Sequence, residues 1–122
     1  MPKFSKSSRR RLNKACSDLQ RLFNEVIKEM DCKVICSFRG EGAQNDAFKN
    51  GKSRVRFPYS KHNVKPSNAV DVVPYPLDWT DIESFIKLGE FVKAKAKELN
   101  INIEWGGDWV SLKDYVHYQS TL

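Results

Sequence analysis

The sequence predicts an α+β fold, a single compact domain in which a small, mostly antiparallel sheet packs with helices. Three observations predict it. Apolar residues recur at helical spacing in two long stretches, and several short runs between and after them are β-branched or strictly alternating. Glycine and proline then break the chain near most of the boundaries. The resulting order is helix, strand, helix, loop with strand, helix, strand, strand.

The first helix is expected from Leu12 to Met30, where Leu12, Ala15, Cys16, Leu19, Leu22, Phe23, Val26, Ile27 and Met30 form one apolar face. The run Lys33 to Phe38 changes to short-period, β-branched character and predicts a strand with Arg39 at its end. Between Gly40 and Gly51 the chain reads as a short helix framed by glycine turns. Pro58, Pro66, Pro74 and Pro76 make the segment from Phe57 to Trp79 mostly loop, with one short strand near Ala69 to Val73. Thr80 and Glu83 have the spacing of a capping box, opening a helix that runs to about Leu99 with Ile82, Phe85, Ile86, Phe91, Val92 and Leu99 inward. Asn100 ends it, Ile101 to Trp105 alternates as a strand, and a last short strand holds His117, Tyr118 and Gln119.

With 122 residues, the chain has room for one core and no separate binding module, so residues 1–122 are expected to be one domain. No apolar run approaches the roughly 20 residues that cross a bilayer. The basic start is not followed by a signal-peptide hydrophobic stretch, so synthesis in the cytoplasm without membrane insertion is expected. The net charge of +6 favours polyanions in general, whether nucleic acid, anionic lipid or an acidic wall polymer. Three cysteines without Cys-x-x-Cys spacing fit reduced thiols better than a redox pair or zinc knuckle.

The chemistry concentrates on the only two histidines. His62 precedes Asp71 in one run, and Asp114 precedes His117 in another. Two imidazoles and a carboxylate, His62, Asp71 and His117, would complete three corners of a tetrahedral zinc site and leave the fourth for water. A fourth acid, Asp114, is then a candidate general base. Arg39 is a candidate electrophile, since a guanidinium that stays charged can balance a developing oxyanion. Each also has an ordinary reading: a surface or satisfied core histidine, a solvated acid in a turn, a surface arginine. The spacing is not that of the compact His-Glu-x-x-His helix.

The ordered set Ser60-x-His62, Ala69-x-Asp71, Trp105-Gly-Gly-Asp108-Trp109 and Asp114-x-x-His117-Tyr-Gln resembles the zinc peptidases that include D-alanyl-D-alanine carboxypeptidases and dipeptidases. It most resembles their phage endolysin branch, the L-alanyl-D-glutamate peptidases. Ser37-Phe-Arg39-Gly with Gln44 and Gly51-Lys-Ser53 is similar to that branch's upstream arginine motif, so the likeness runs from about Asp18 to Gln119. The resemblance implies one zinc ion per chain on His62, Asp71 and His117, with Asp114 as base and Arg39 at the scissile carbonyl. It places Ser60, Ser53, Trp105 and Asp108 as residues that line or brace the site. The implied function is hydrolysis of the L-Ala–D-Glu bond of peptidoglycan by a monomeric phage or prophage enzyme, made in the host cytoplasm and acting on the wall after release. A D,D-carboxypeptidase or dipeptidase of the same family is the alternative.

Two departures from the family pattern stand out. The segment between His62 and Asp71 is longer by two residues and lacks the usual glycine, with Pro66 and Ser67 available to turn the chain. The stretch from Val110 to Lys113 is short, which implies a more open groove there. From a different class, the rival is a small basic nucleic-acid-binding protein using the arginine-rich start (Arg9, Arg10, Arg11), with Arg54, Arg56 and Lys61 interleaved with Phe48, Phe57 and Tyr59. It gives no reason for both histidines to lie beside acids, so no nucleic-acid partner is expected.

Overall fold

The computed structural model describes residues 2–121. Its elements in chain order are α1 (Lys6–Leu12), α2 (Ser17–Val26), β1 (Cys32–Cys36), α3 (Glu41–Lys49), β2 (Ala69–Pro74), α4 (Ile82–Glu98), β3 (Ile103–Trp105) and β4 (His117–Ser120), with 3-10 turns at Lys61–Asn63 and Gly106–Asp108. The expected α+β fold is present, with one four-stranded antiparallel sheet in the order β1-β2-β4-β3.

The helix expected from Leu12 to Met30 is confined to α2, and α1, which the sequence reading did not anticipate, precedes it; a tertiary contact keeps the two apart. The Cys16 amide donates to the Ser67 carbonyl (2.8 Å) and the Ser67 amide to the Lys14 carbonyl (2.9 Å). Backbone groups that would continue the helix are thereby committed to the long loop between His62 and Asp71. After this break, α2 buries Leu19, Leu22, Phe23 and Val26 completely. Each such side chain contributes about 1.5–3 kcal/mol relative to exposure, which sustains a helix of only 10 residues.

The helix α4 is also capped differently from the sequence expectation. Asp81 is the N-cap and accepts from the Ser84 amide, while the Thr80 hydroxyl donates to Asp78 (2.7 Å). Phe85, Leu88, Gly89, Val92 and Ala96 form the buried face, and Ile82 is exposed in the first turn. The helix ends as expected at Asn100, which takes a left-handed φ of 60°.

The core lies on one face of the sheet, where Val34, Val70, Val72 and Tyr118 meet α2 and α4. Trp105 joins it, stacked on Tyr118. Gly89 admits the indole, for a Cβ there would stand 2.3 Å from the Trp105 ring. Because side chains alternate across a strand, Asp71 points to the opposite face from Val70 and Val72. On that second face the site is built.

Candidate metal centre

Register fixes the first contacts. Asp71 on β2 pairs with His117 on β4, and on its other side with Cys36 on β1. The β1–β2 register shifts between Val34 and Cys36. Without that extra residue Ile35 would oppose Asp71, so the bulge turns Cys36 toward the site and sets the exit path to Arg39.

His62 arrives from the 3-10 turn, which Ser60 caps by accepting from the His62 amide (3.1 Å). His62 itself makes two bonds to the chain just beyond β1. The His62 Nδ1–H donates to the Ser37 carbonyl (2.7 Å), and the Arg39 amide donates to the His62 carbonyl (2.8 Å). The carbonyl can only accept, so Nδ1 carries a proton, and in the neutral, ligating form of the ring it is Nε2 that has the free lone pair. His117 is oriented the other way round. Its Nε2–H donates to the Gln119 carboxamide oxygen (2.7 Å), leaving Nδ1 bare.

The two bare nitrogens face each other at 3.3 Å, and Asp71 Oδ1 lies 3.3 Å from His62 Nε2 and 3.5 Å from His117 Nδ1. All three ligand atoms fall within 4.8 Å of one another. Asp71 Oδ1 is buried and accepts no hydrogen bond. A buried carboxylate oxygen without a partner is costly, and two lone pairs aimed at it do not relieve that cost. A divalent cation bound by all three atoms does, so the donor set fits a metal ion.

The electrostatics agree. Burial disfavours a proton on His62, but the Asp71 carboxylate and the Cys36 thiol beside it reverse this and push its pKa up to about 10. Burial likewise opposes charge on Asp71, yet the two imidazoles hold it well below the ordinary carboxylate range. The pull that draws a proton onto His62 would act on a divalent cation as well, and a cation held by the three residues would take that proton's place.

Arg39 is brought to the same cluster. One Nη is 3.4 Å from Asp71 Oδ2 and 3.6 Å from the Cys36 sulfur, and the other donates to Gln44 Oε1 (3.0 Å). Gln44 is fully buried in α3 and also donates to Ser53 Oγ (2.8 Å) and the Val55 carbonyl (2.7 Å). Asn63 closes the network, donating to the Arg39 carbonyl (2.8 Å) and to Gln44 Oε1 (3.2 Å). Among the residues expected to brace the site, Ser60 and Ser53 thus sit in its supporting bonds.

Asp114 is half-buried at the end of the loop before β4. Its burial and the nearby Asp71 charge raise its carboxyl above the ordinary carboxylate range, while the His117 and His62 charges and a bond from the Val116 amide work against this. Its amide donates to the Gly106 carbonyl (3.0 Å) and its carbonyl accepts from the His117 amide (3.2 Å). A Cβ on residue 106 would stand 2.2 Å from the Asp114 carbonyl oxygen, so Gly106 allows the approach. A side chain at residue 106 would therefore have to displace the Asp114 backbone, and with it the carbonyl that accepts from the His117 amide.

Two of the expected residues stand further back. Trp105 is in the core, its indole N–H donating to the Tyr115 carbonyl (2.9 Å) next to Asp114. Asp108 is exposed and pairs with Lys93 at 3.0 Å. Sequence reasoning did not single out Cys36 or Asn63, or give a role to Trp109, whose ring lies 5.3 Å from that of His117. Only register and tertiary approach bring these three to the site.

An α+β domain that presents two bare imidazole nitrogens and a buried carboxylate, with a further acid and a guanidinium alongside, has the arrangement of a metallohydrolase. Family comparison makes this specific: the chain belongs to the phage L-alanyl-D-glutamate peptidase family, whose model matches residues 1–121. It is 31% identical over 120 residues to the L-alanyl-D-glutamate peptidase of Escherichia phage T5, a match covering 93% of this chain and 85% of that protein. Its fold is similar to the crystal structure of the Serratia marcescens L-Ala D-Glu endopeptidase ChiX, with a TM-score of 0.84 and 27% identity over 98% of this chain and 91% of the other.

Proposed function

We propose that this chain is a zinc-dependent peptidoglycan endopeptidase that hydrolyses the L-Ala–D-Glu bond of the stem peptide, serving a phage or prophage in lysis of the host wall. The observation that carries this reading is the convergence of His62 Nε2, His117 Nδ1 and the orphaned Asp71 Oδ1, in a chain of this family. His62, Asp71 and His117 hold one zinc ion. Zinc held there supplies Lewis acidity, which makes water an effective nucleophile near neutral pH.

The chain's own residues carry the remaining steps. Asp114 takes a proton from the attacking water and returns it to the departing D-glutamyl nitrogen. Arg39 balances negative charge as it develops on the scissile carbonyl oxygen, and Gln44 fixes the guanidinium so that little reorganisation is needed during the reaction. The Ser37 carbonyl and Gln119 hold the imidazoles in their ligating tautomers. Trp105 and the Asp108–Lys93 pair steady the segment leading to Asp114.

Mass analysis of products from purified muropeptides tests the reading. A new D-Glu amino terminus is expected, lost with a chelator and restored by zinc. Release of free D-Ala instead would move the chain to the D,D-carboxypeptidases, and chelator-insensitive hydrolysis would remove zinc from the mechanism.

A further inference from the structure

Beside the cluster lies a cation that the reaction above does not use. The Arg54 guanidinium sits over the Trp109 ring, 5.6 Å from its centroid, and the Trp109 ring in turn packs 5.3 Å from that of His117. Other cations rest on aromatic rings in this molecule, but among the described residues only Arg54 rests on a ring that touches a residue of the metal cluster. It is exposed, and no described carboxylate lies within ion-pair distance of it. Lys93 and Lys95, by contrast, are ring-bound and paired with acids.

Both parts of this rim are held in place. The indole N–H of Trp109 donates to Glu104 (2.6 Å). The segment carrying Arg54 is fastened on either side by Gln44, through Ser53 Oγ and the Val55 carbonyl, the same glutamine that holds Arg39. One buried side chain therefore sets the positions of two arginine-bearing segments. A guanidinium that meets a ring through its face keeps N–H donors along its edge, and that edge matches a carboxylate.

We propose that Arg54, seated on Trp109 next to His117, recognises the free α-carboxylate of the D-glutamyl residue and so selects stem peptides that carry it. This rests on the L-Ala–D-Glu reading above. In a stem peptide continued through the side-chain carboxyl of D-Glu, the α-carboxyl is one carbon from the scissile nitrogen and is present either as a carboxylate or as an amide. Arg54 thus distinguishes two wall chemistries at a position adjacent to the cut bond. Because the arginine is exposed, the contribution is that of a screened charge-assisted bond, about tenfold in kcat/KM.

The test uses two synthetic stem peptides that differ only in D-Glu or its α-amide, with kcat and KM measured for the unsubstituted protein, Arg54→Gln and Arg54→Lys. The unsubstituted protein is expected to prefer the carboxylate about tenfold. Arg54→Gln is expected to lose that preference, mainly through KM on the carboxylate peptide, with amide hydrolysis unchanged, and Arg54→Lys to regain part of it. Equal loss on both peptides, or a preference that survives Arg54→Gln, would overturn the assignment. Cleavage of neither peptide at that bond by the unsubstituted protein would overturn the functional reading and this assignment together, and is recognisable because no variant is needed to see it.

Discussion

Replacing His117 by alanine is expected to remove zinc and hydrolysis together. On the proposed ligand set the variant keeps only His62 and Asp71, and two ligands would not hold a catalytic zinc against water. Zinc content should fall from about one per chain to near zero, and kcat/KM on muropeptides by at least about 10³-fold, the loss of roughly 4 kcal/mol of transition-state stabilisation. The fold should survive, because His117 sits at the start of β4 with its ring toward the site and away from the core residues Val70, Val72 and Tyr118. Circular dichroism checks this. A variant that retained a full zinc complement would remove His117 from the ligand set.

Asp114→Asn separates proton transfer from metal binding. The amide keeps the shape of the carboxylate but cannot take a proton, so kcat is expected to fall about 10²–10⁴-fold. Zinc content should stay at that of the unsubstituted protein, because Asp114 lies outside the cluster formed by His62, Asp71 and His117. Loss of zinc alongside activity would assign Asp114 to the ligands, and unchanged kcat would assign the base elsewhere. Together the two variants distinguish a residue that holds the ion from one that works beside it.

Much of this is legible in the sequence itself. Helical spacing located α2 and α4, β-branched and alternating runs located the four strands, and the ordered motifs around His62, Asp71, Asp114 and His117 pointed to one site. What the sequence misread was decided at a distance. The apolar face from Leu12 onward continues across Lys14 to Cys16, yet those backbone groups bond Ser67, more than fifty positions later, and the helix starts only at Ser17. Ser67 also donates to the Ala69 carbonyl (3.0 Å), so the glycine-free loop is shaped by its docking on the α1–α2 joint. The cap of α4 was misassigned for a local reason, since Asp78 engages the Thr80 hydroxyl and Asp81 is an equally good cap. Val110 is fully exposed and Leu112 largely so in the short segment before Asp114.

The sequence by itself determined the composition of the site and the class of fold, because residue type and local periodicity are encoded where they are read. It placed two imidazoles and two carboxylates in order along the chain, and an arginine upstream. Tertiary structure alone decided how they act. Strand register set Asp71 opposite His117, a bulge brought Cys36 and the path to Arg39 to the same face, and one buried glutamine fixed both Arg39 and the segment of Arg54. Tautomers and an unpartnered carboxylate oxygen are properties of approach between distant segments. Such approach depends on long-range packing, which no window along the chain contains.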